Sequence, residues 1–206
     1  MCGLGLAWFA AEHKAYGWDF PSTSDRYDLL EDALQALPVL WGPGNRPFTG
    51  RVVSLPDTTC YPRPVGPVPI IVGGGGEKRT LRLAARYATA ANVVGDAAVV
   101  AHKRAVLSAH CAAVGRDPAA VALTHLSTTL IGADDRSLAA SVDRLRPRRA
   151  DPAAYAATVN AGTVDDHIGR FRELAEAGAT EVMIRLPDLT SAAPLERAAA
   201  VIAAFR

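Results

Sequence analysis

The segment Pro69-Ile70-Ile71-Val72-Gly73-Gly74-Gly75-Gly76-Glu77-Lys78-Arg79-Thr80-Leu81 decides the fold. A short β-rich apolar run, bounded by proline, meets four consecutive glycines and then a helix start. That order describes a strand–turn–helix corner. Glycine lacks a Cβ, so the backbone accepts positive φ there and several N–H groups converge on one bound group. The helix that follows adds its unpaired first-turn N–H donors and the positive end of its dipole. Such a corner suits a phosphate; a turn serving only tight packing is the plainer alternative. The spacing fits neither a Walker A loop, which needs Gly-Lys-Ser/Thr, nor a Rossmann fingerprint with an acidic residue about 20 positions on.

Upstream of the corner, Gly3 to Ala7 reads as an apolar strand with no earlier element to pair with, and a loop runs on through Ser24. Ser24 then caps a helix with Asp25 and Asp28 in its first turn. Its apolar residues Leu29, Leu30, Ala33, Leu34, Leu37, Leu40 and Trp41 recur at three- and four-residue steps, and Pro38 should kink the last turn. Residues 42–69 are rich in proline and glycine and read as an insertion loop, with a small strand at Val52-Val53.

Downstream, a helix is predicted from Lys78 to Ala90, then a strand over Asn92–Val94 and a helix from Ala97 to Val114 closed by Gly115. A strand of mixed polarity follows over Val121–Ile131, and two short helices lie between Asp134 and Val159. Thr163 and Asp166 form a capping box opening a helix to Ala177. Glu181–Leu186 is a strand and Leu195–Phe205 a terminal helix. Strands alternating with long helices indicate βαβ units and a parallel sheet within a single domain, residues 1–206. A full (β/α)8 barrel takes about 250 residues, so this chain is about three units short of one.

Half of the 206 residues (50%) are hydrophobic and the formal net charge is +1, which argues against nucleic acid or an anionic membrane as the main partner. No apolar run approaches the roughly 20 residues of a membrane span. The N-terminus lacks the basic segment of a secretion signal, and Cys2, Cys60 and Cys111 are odd in number and far apart. A cytoplasmic location with reduced thiols is the expectation. Neither the cysteines nor the five histidines show metal-ligand spacing, so no metal is expected.

If the sheet closes as a barrel, its chemistry lies at the carboxyl ends of the strands. The loops starting at Trp8, Gly73, Gly95 and Arg185 are then the candidates, and the mixed strand Val121–Ile131 should end there too. Gly73, Gly74, Gly75, Gly76 and Glu77 are read as backbone donors to phosphate, with Lys78 and Arg79 adding charge or being merely solvated. Glu12 and His13, after the first strand, are the catalytic candidates, because a histidine's pKa lies near working pH, with a structural hydrogen-bonding role as the equal alternative. Trp8 reads either as a core tryptophan or as a wall of the cofactor cleft. Arg185 ends the last strand, a barrel region that often helps bind phosphate, and is a further candidate for a cofactor contact, the alternative being that it faces away from the site. Glu31 and Asp32 read as surface charges, His102 and His110 as surface or interface residues, and the arginines around Pro147 as a solvated loop. His125 lies within a strand with no assigned direction.

Taken together, these stretches resemble the bacterial luciferase-like flavin/deazaflavin oxidoreductases, in particular their coenzyme F420-dependent branch. The matching residues are Gly5-Leu6-Ala7-Trp8 with Glu12-His13, Tyr16-Gly17-Trp18-Asp19-Phe20-Pro21, and Arg26 to Leu34 with Leu40-Trp41. They continue through Pro69 to Ala88 and the Gly162-Thr163 to Val182 region. The resemblance implies a TIM-type (β/α)8 barrel, incomplete by about its first three units. It also implies a cofactor phosphate near the glycine corner and hydride chemistry with F420, or with FMN as the alternative. A small-molecule substrate and a homodimer, or self-association through an exposed barrel edge, are the partners it implies. The family's usual Gly-Ala-Gly-Trp stands here as Gly5-Leu6-Ala7-Trp8. An FMN-dependent monooxygenase of the same family is one alternative function. A truncated, non-catalytic barrel remnant that binds a flavin is another.

Overall fold

A computed structural model describes residues 1–206 as two compact units, Met1–Val93 with Ala105–Ala122, and Val94–Arg104 with Leu123–Arg206. In the first unit the chain runs β1 (Cys2–Gly5), α1 (Ala10–Tyr16), α2 (Thr23–Trp41), β2 (Phe48–Thr49), β3 (Ser54–Leu55), β4 (Ile70–Gly73), α3 (Thr80–Tyr87) and β5 (Ala90–Val93). Helix α4 (Ala97–Ala113) starts in the second unit and ends in the first. Strand β6 (Ala122–Thr128), helices α5 (Asp135–Leu145), α6 (Pro152–Thr158) and α7 (Val164–Glu176), strand β7 (Glu181–Arg185) and helix α8 (Ala193–Ala203) complete the chain. No helix is long and apolar enough to cross a membrane.

In the first unit β4 is the central strand. It pairs in parallel with β1, Gly73 opposite Gly5, and with β5, Gly73 opposite Asn92. Ile70, Ile71 and Val72 are all buried, as a continuous apolar run predicts for a strand covered on both faces. Helix α3 lays Leu81, Leu83, Ala84 and Ala85 into the core, and α2 adds Leu30, Leu34 and Ala36.

Several local expectations shift. The opening strand finds its partner downstream, in β4, so the apparent lack of one was a matter of chain order. Ser22 rather than Ser24 caps α2, its hydroxyl accepting from the Asp25 N–H, and α2 runs through Pro38 to Trp41. Helix α1 replaces an expected loop. It buries no residue, so it carries no apolar period for a sequence reading to detect. Val52-Val53 is the connection of the hairpin formed by β2 and β3, not a strand. Its N–H groups point instead at Asp32, which is only 2% exposed and accepts from Arg51, Val52 and Val53 at 3.0, 2.7 and 2.8 Å. Asp32 is thus a buried anchor for the insertion loop rather than a surface charge. Burial pushes its carboxyl up, but the three backbone donors and the Arg51 charge together hold it below the usual carboxylate range.

In the second unit β6 and β7 pair in parallel from Thr124 opposite Glu181 to Thr128 opposite Arg185. The predicted long strand stops at Thr128, and Ile131 makes only a single parallel bridge to Gly162. The Thr163–Asp166 capping box opens α7 as predicted. Leu130, Val142 and Val159 form a core joined by Leu138, Leu145 and Tyr155. The arginine run is not simply solvated. Arg144 pairs with the buried Asp188, and Arg146 meets Asp143 at 2.8 Å.

Candidate functional site

The glycine corner lies at the carboxyl end of β4, and parallel register brings the ends of β1 and β5 to the same edge. Gly74 has φ +126°, a conformation reserved for glycine, and donates its N–H to the Asn92 carbonyl at 2.9 Å. That amide is therefore spent, and the Gly75 and Gly76 amides follow it in the loop. Residues 74–76 are exposed. Residues 77–79 form a turn before α3 begins at Thr80, two residues later than expected, and no side chain caps its first turn.

Side chains from α2, α3 and α4 fix this corner. The Tyr27 and Thr80 hydroxyls hydrogen-bond each other at 2.9 Å, which consumes one O–H and leaves the second free to donate. A Cβ at Gly76 would sit 2.7 Å from Thr80 Oγ1 and 3.0 Å from the Tyr27 hydroxyl, so only glycine fits against this pair. His110 Nε2 donates to the Glu77 carbonyl at 2.7 Å. The expected surface histidine is a brace for the loop. Arg79 meets Asp28 at 2.9 Å and lies 4.3 Å over the Tyr27 ring, while Arg51 shares the same carboxylate at 3.2 Å. Arg51 also faces the Asp32 carboxylate, so these charges balance and the exposed Lys78 is the cation beside the corner.

The N-terminal candidates lie apart from this brace. Trp8 is 86% exposed, which overturns the core reading, and its ring pairs with that of Phe9, 5.2 Å between centroids. The backbone turns there through Ala7 at φ +55°, held by the Arg26 guanidinium, which donates to the Leu6 and Ala7 carbonyls. Arg26 also stacks over Phe20 at 4.1 Å. Glu12 is exposed on α1, and His13 Nδ1 donates to the Phe9 carbonyl at 3.3 Å with its ring edge-on to Phe20. Arg185 ends β7 in the second unit, exposed, with Thr128 as its register partner. The structure thus gathers Gly73 to Lys78 into one braced corner, sets Glu12 and His13 on a separate exposed helix, and leaves Arg185 in the other unit. Tyr27, Thr80 and His110 were missed as site residues. Tyr27 and Thr80 carry no spacing signal, and His110 lies 33 residues from the carbonyl it holds.

A sequence profile of luciferase-like monooxygenases matches residues 1–181. An F420-dependent glucose-6-phosphate dehydrogenase from Kineococcus radiotolerans is 39% identical over 76 residues, 37% of this chain. That alignment spans only 22% of the relative's length. Among solved structures, an F420-dependent secondary alcohol dehydrogenase bound to an F420–acetone adduct superposes with a TM-score of 0.78 at 19% identity, over 99% of this chain and 69% of that one. A riboflavin lyase with modified FMN and riboflavin superposes with a TM-score of 0.66 at 13% identity, over 93% and 59%. The fold is accordingly the α/β, TIM-type fold of these enzymes. With the match running from the first residue through the glycine corner to the start of β7, the chain belongs to the luciferase-like monooxygenase family.

Proposed function

We propose that the chain is an oxidoreductase that binds coenzyme F420, with FMN as the alternative, and serves hydride transfer to or from a small organic substrate. The observation that carries this reading is the braced, exposed glycine corner. Its remaining amides, the free O–H of the Tyr27–Thr80 pair and Lys78 are a donor set for a phosphate. Gly76 packs against those hydroxyls with no room for a Cβ, which keeps them beside the exposed loop. The relative from Kineococcus radiotolerans adds F420 as the first candidate.

In this reading Gly75, Gly76, Glu77 and Lys78 hold the anionic end of the cofactor. Trp8 screens the ring from water. A bound deazaflavin supplies two-electron chemistry that side chains cannot. His13, with Nδ1–H committed to the Phe9 carbonyl, presents Nε2 as the atom that takes or returns a substrate proton, and Glu12 sits beside it. A second reading, cofactor binding without turnover, is favoured by one observation: α1, which carries both residues, buries none of its side chains. Self-association through the strand edges belongs to either reading.

Titration with F420, with FMN and with the deazaflavin chromophore lacking its phosphate, followed by fluorescence quenching, tests the proposal. Tight binding of F420, lost with the phosphate-free chromophore and weakened about tenfold in Lys78→Gln, is expected. Binding of FMN alone would move the assignment to the flavin, and binding of neither would overturn it.

A further inference from the structure

In the second unit, a cavity of about 180 Å³ is lined by Gly95, Asp96, His125, Ser127, Asn160, Arg170, Glu173 and their neighbours. A single water needs about 10–15 Å³ counted the same way, so the space admits several heavy atoms. His125 is only 4% exposed. Its Nε2 lies 2.9 Å from the Gly95 carbonyl, and because a carbonyl only accepts, Nε2 carries the proton. Nδ1 is then a bare acceptor, and it is buried without any hydrogen-bond partner. Buried polar atoms of this kind are uncommon and call for a ligand or a function.

The neighbouring groups define what that ligand is. Ser127, 1% exposed, accepts a hydrogen bond from Thr129 Oγ1 at 3.0 Å, which leaves its own O–H free to donate. Arg170 is partly committed, to the Asn160 carbonyl and to His167 Nδ1, both at 3.1 Å. The mouth carries the Arg170 cation and the exposed Asp96 and Glu173 carboxylates, so an anion is repelled by two groups and a cation by one. No set of three metal-ligating side chains surrounds the site. A hydroxyl group answers both free valences at once: it donates to His125 Nδ1 and accepts from the Ser127 O–H.

We propose that the cavity between β6, α7 and the start of α4 is a binding site for a small neutral polyhydroxy molecule, anchored by His125 and Ser127 and separate from the glycine corner. Glycerol is the probe. In protein labelled with 15N-histidine, the His125 Nδ1 resonance is expected to shift saturably with glycerol, as a lone pair gains a donor. Ser127→Ala should weaken the apparent affinity about tenfold. Ala97→Leu, which fills the lining at the first residue of α4, should abolish the response while leaving the Nε2–H tautomer in place. An Nδ1 resonance that is unresponsive, one that drifts linearly without saturation, or a Ser127→Ala protein that titrates like the parent would each overturn the proposal.

Discussion

At the scale of single residues, side-chain room and backbone conformation separate the positions where glycine is required from the one where it is missing. Gly76 faces two hydroxyls with no room for a Cβ. Gly76→Ala is therefore expected to cost about 1–2 kcal/mol by overpacking, and to weaken phosphate-dependent cofactor binding more than phosphate-independent binding. Ala7 is the converse case. It holds φ +55°, where an L side chain is strained, at the position where the family's Gly-Ala-Gly-Trp carries glycine. Ala7→Gly should stabilise the fold by up to about 1 kcal/mol, the relieved strain being partly offset by the extra freedom of glycine in the unfolded chain. Chemical denaturation of the two variants against the parent checks both signs. A special turn at 73–76 was legible in the sequence from the run of four glycines, and the structure requires glycine at Gly74 and Gly76. What that need serves was not legible, because Tyr27 and Thr80 meet Gly76 only in the folded chain.

Among the elements, α7 shows how a helix ties a unit together through one buried group. Its N-terminus was readable from Thr163 and Asp166, whose reciprocal hydrogen bonds are local. The role of His167 was not readable. Its side chain is fully buried, Nε2 donating to the Leu130 carbonyl at 3.3 Å and Nδ1 accepting from Arg170 at 3.1 Å. Burial pushes its pKa below the ordinary histidine value, with the Arg170 charge acting in the same direction. The unfolded chain therefore takes up a proton first as pH falls through about 6.5, and stability declines below that pH until the folded state also protonates. Melting temperature measured from pH 7.5 to 5 should fall in the parent, and should fall less in His167→Gln. The same contrast runs through the other elements. Strand β4 and helix α3 announce themselves by apolar period. Helix α1 packs nothing, so it leaves no pattern, and the hairpin of β2 and β3 depends on Asp32, about 20 residues away.

Across the whole molecule, each unit carries a buried carboxylate on which its acid stability depends, and each carries an open strand edge. Asp188 accepts from the Thr190 hydroxyl, from Arg144 and from the Thr190 N–H, which hold its pKa down to about 2. Asp32 is held low in the first unit by the donors of the insertion loop. For a depressed carboxyl the stabilising contribution is present above the unfolded value of about 4 and is lost as pH falls toward the folded one. Both units should weaken together below pH 4, and Asp188→Asn should flatten that acid limb in circular dichroism. The edges bear on solution behaviour. β1 has a strand neighbour on one side only, β4, and β7 likewise has only β6. β7 carries Glu181 and Arg185, charges that guard an edge, whereas Cys2-Gly3-Leu4-Gly5 carries none. β1 is thus the edge expected to recruit a second chain. A Cβ at Gly3 meets nothing within 4 Å, so Gly3→Lys adds an edge charge without a packing cost. Sedimentation velocity should show concentration-dependent association of the parent and a shift to monomer in Gly3→Lys; a parent that stays monomeric at every concentration would remove β1 as an interface.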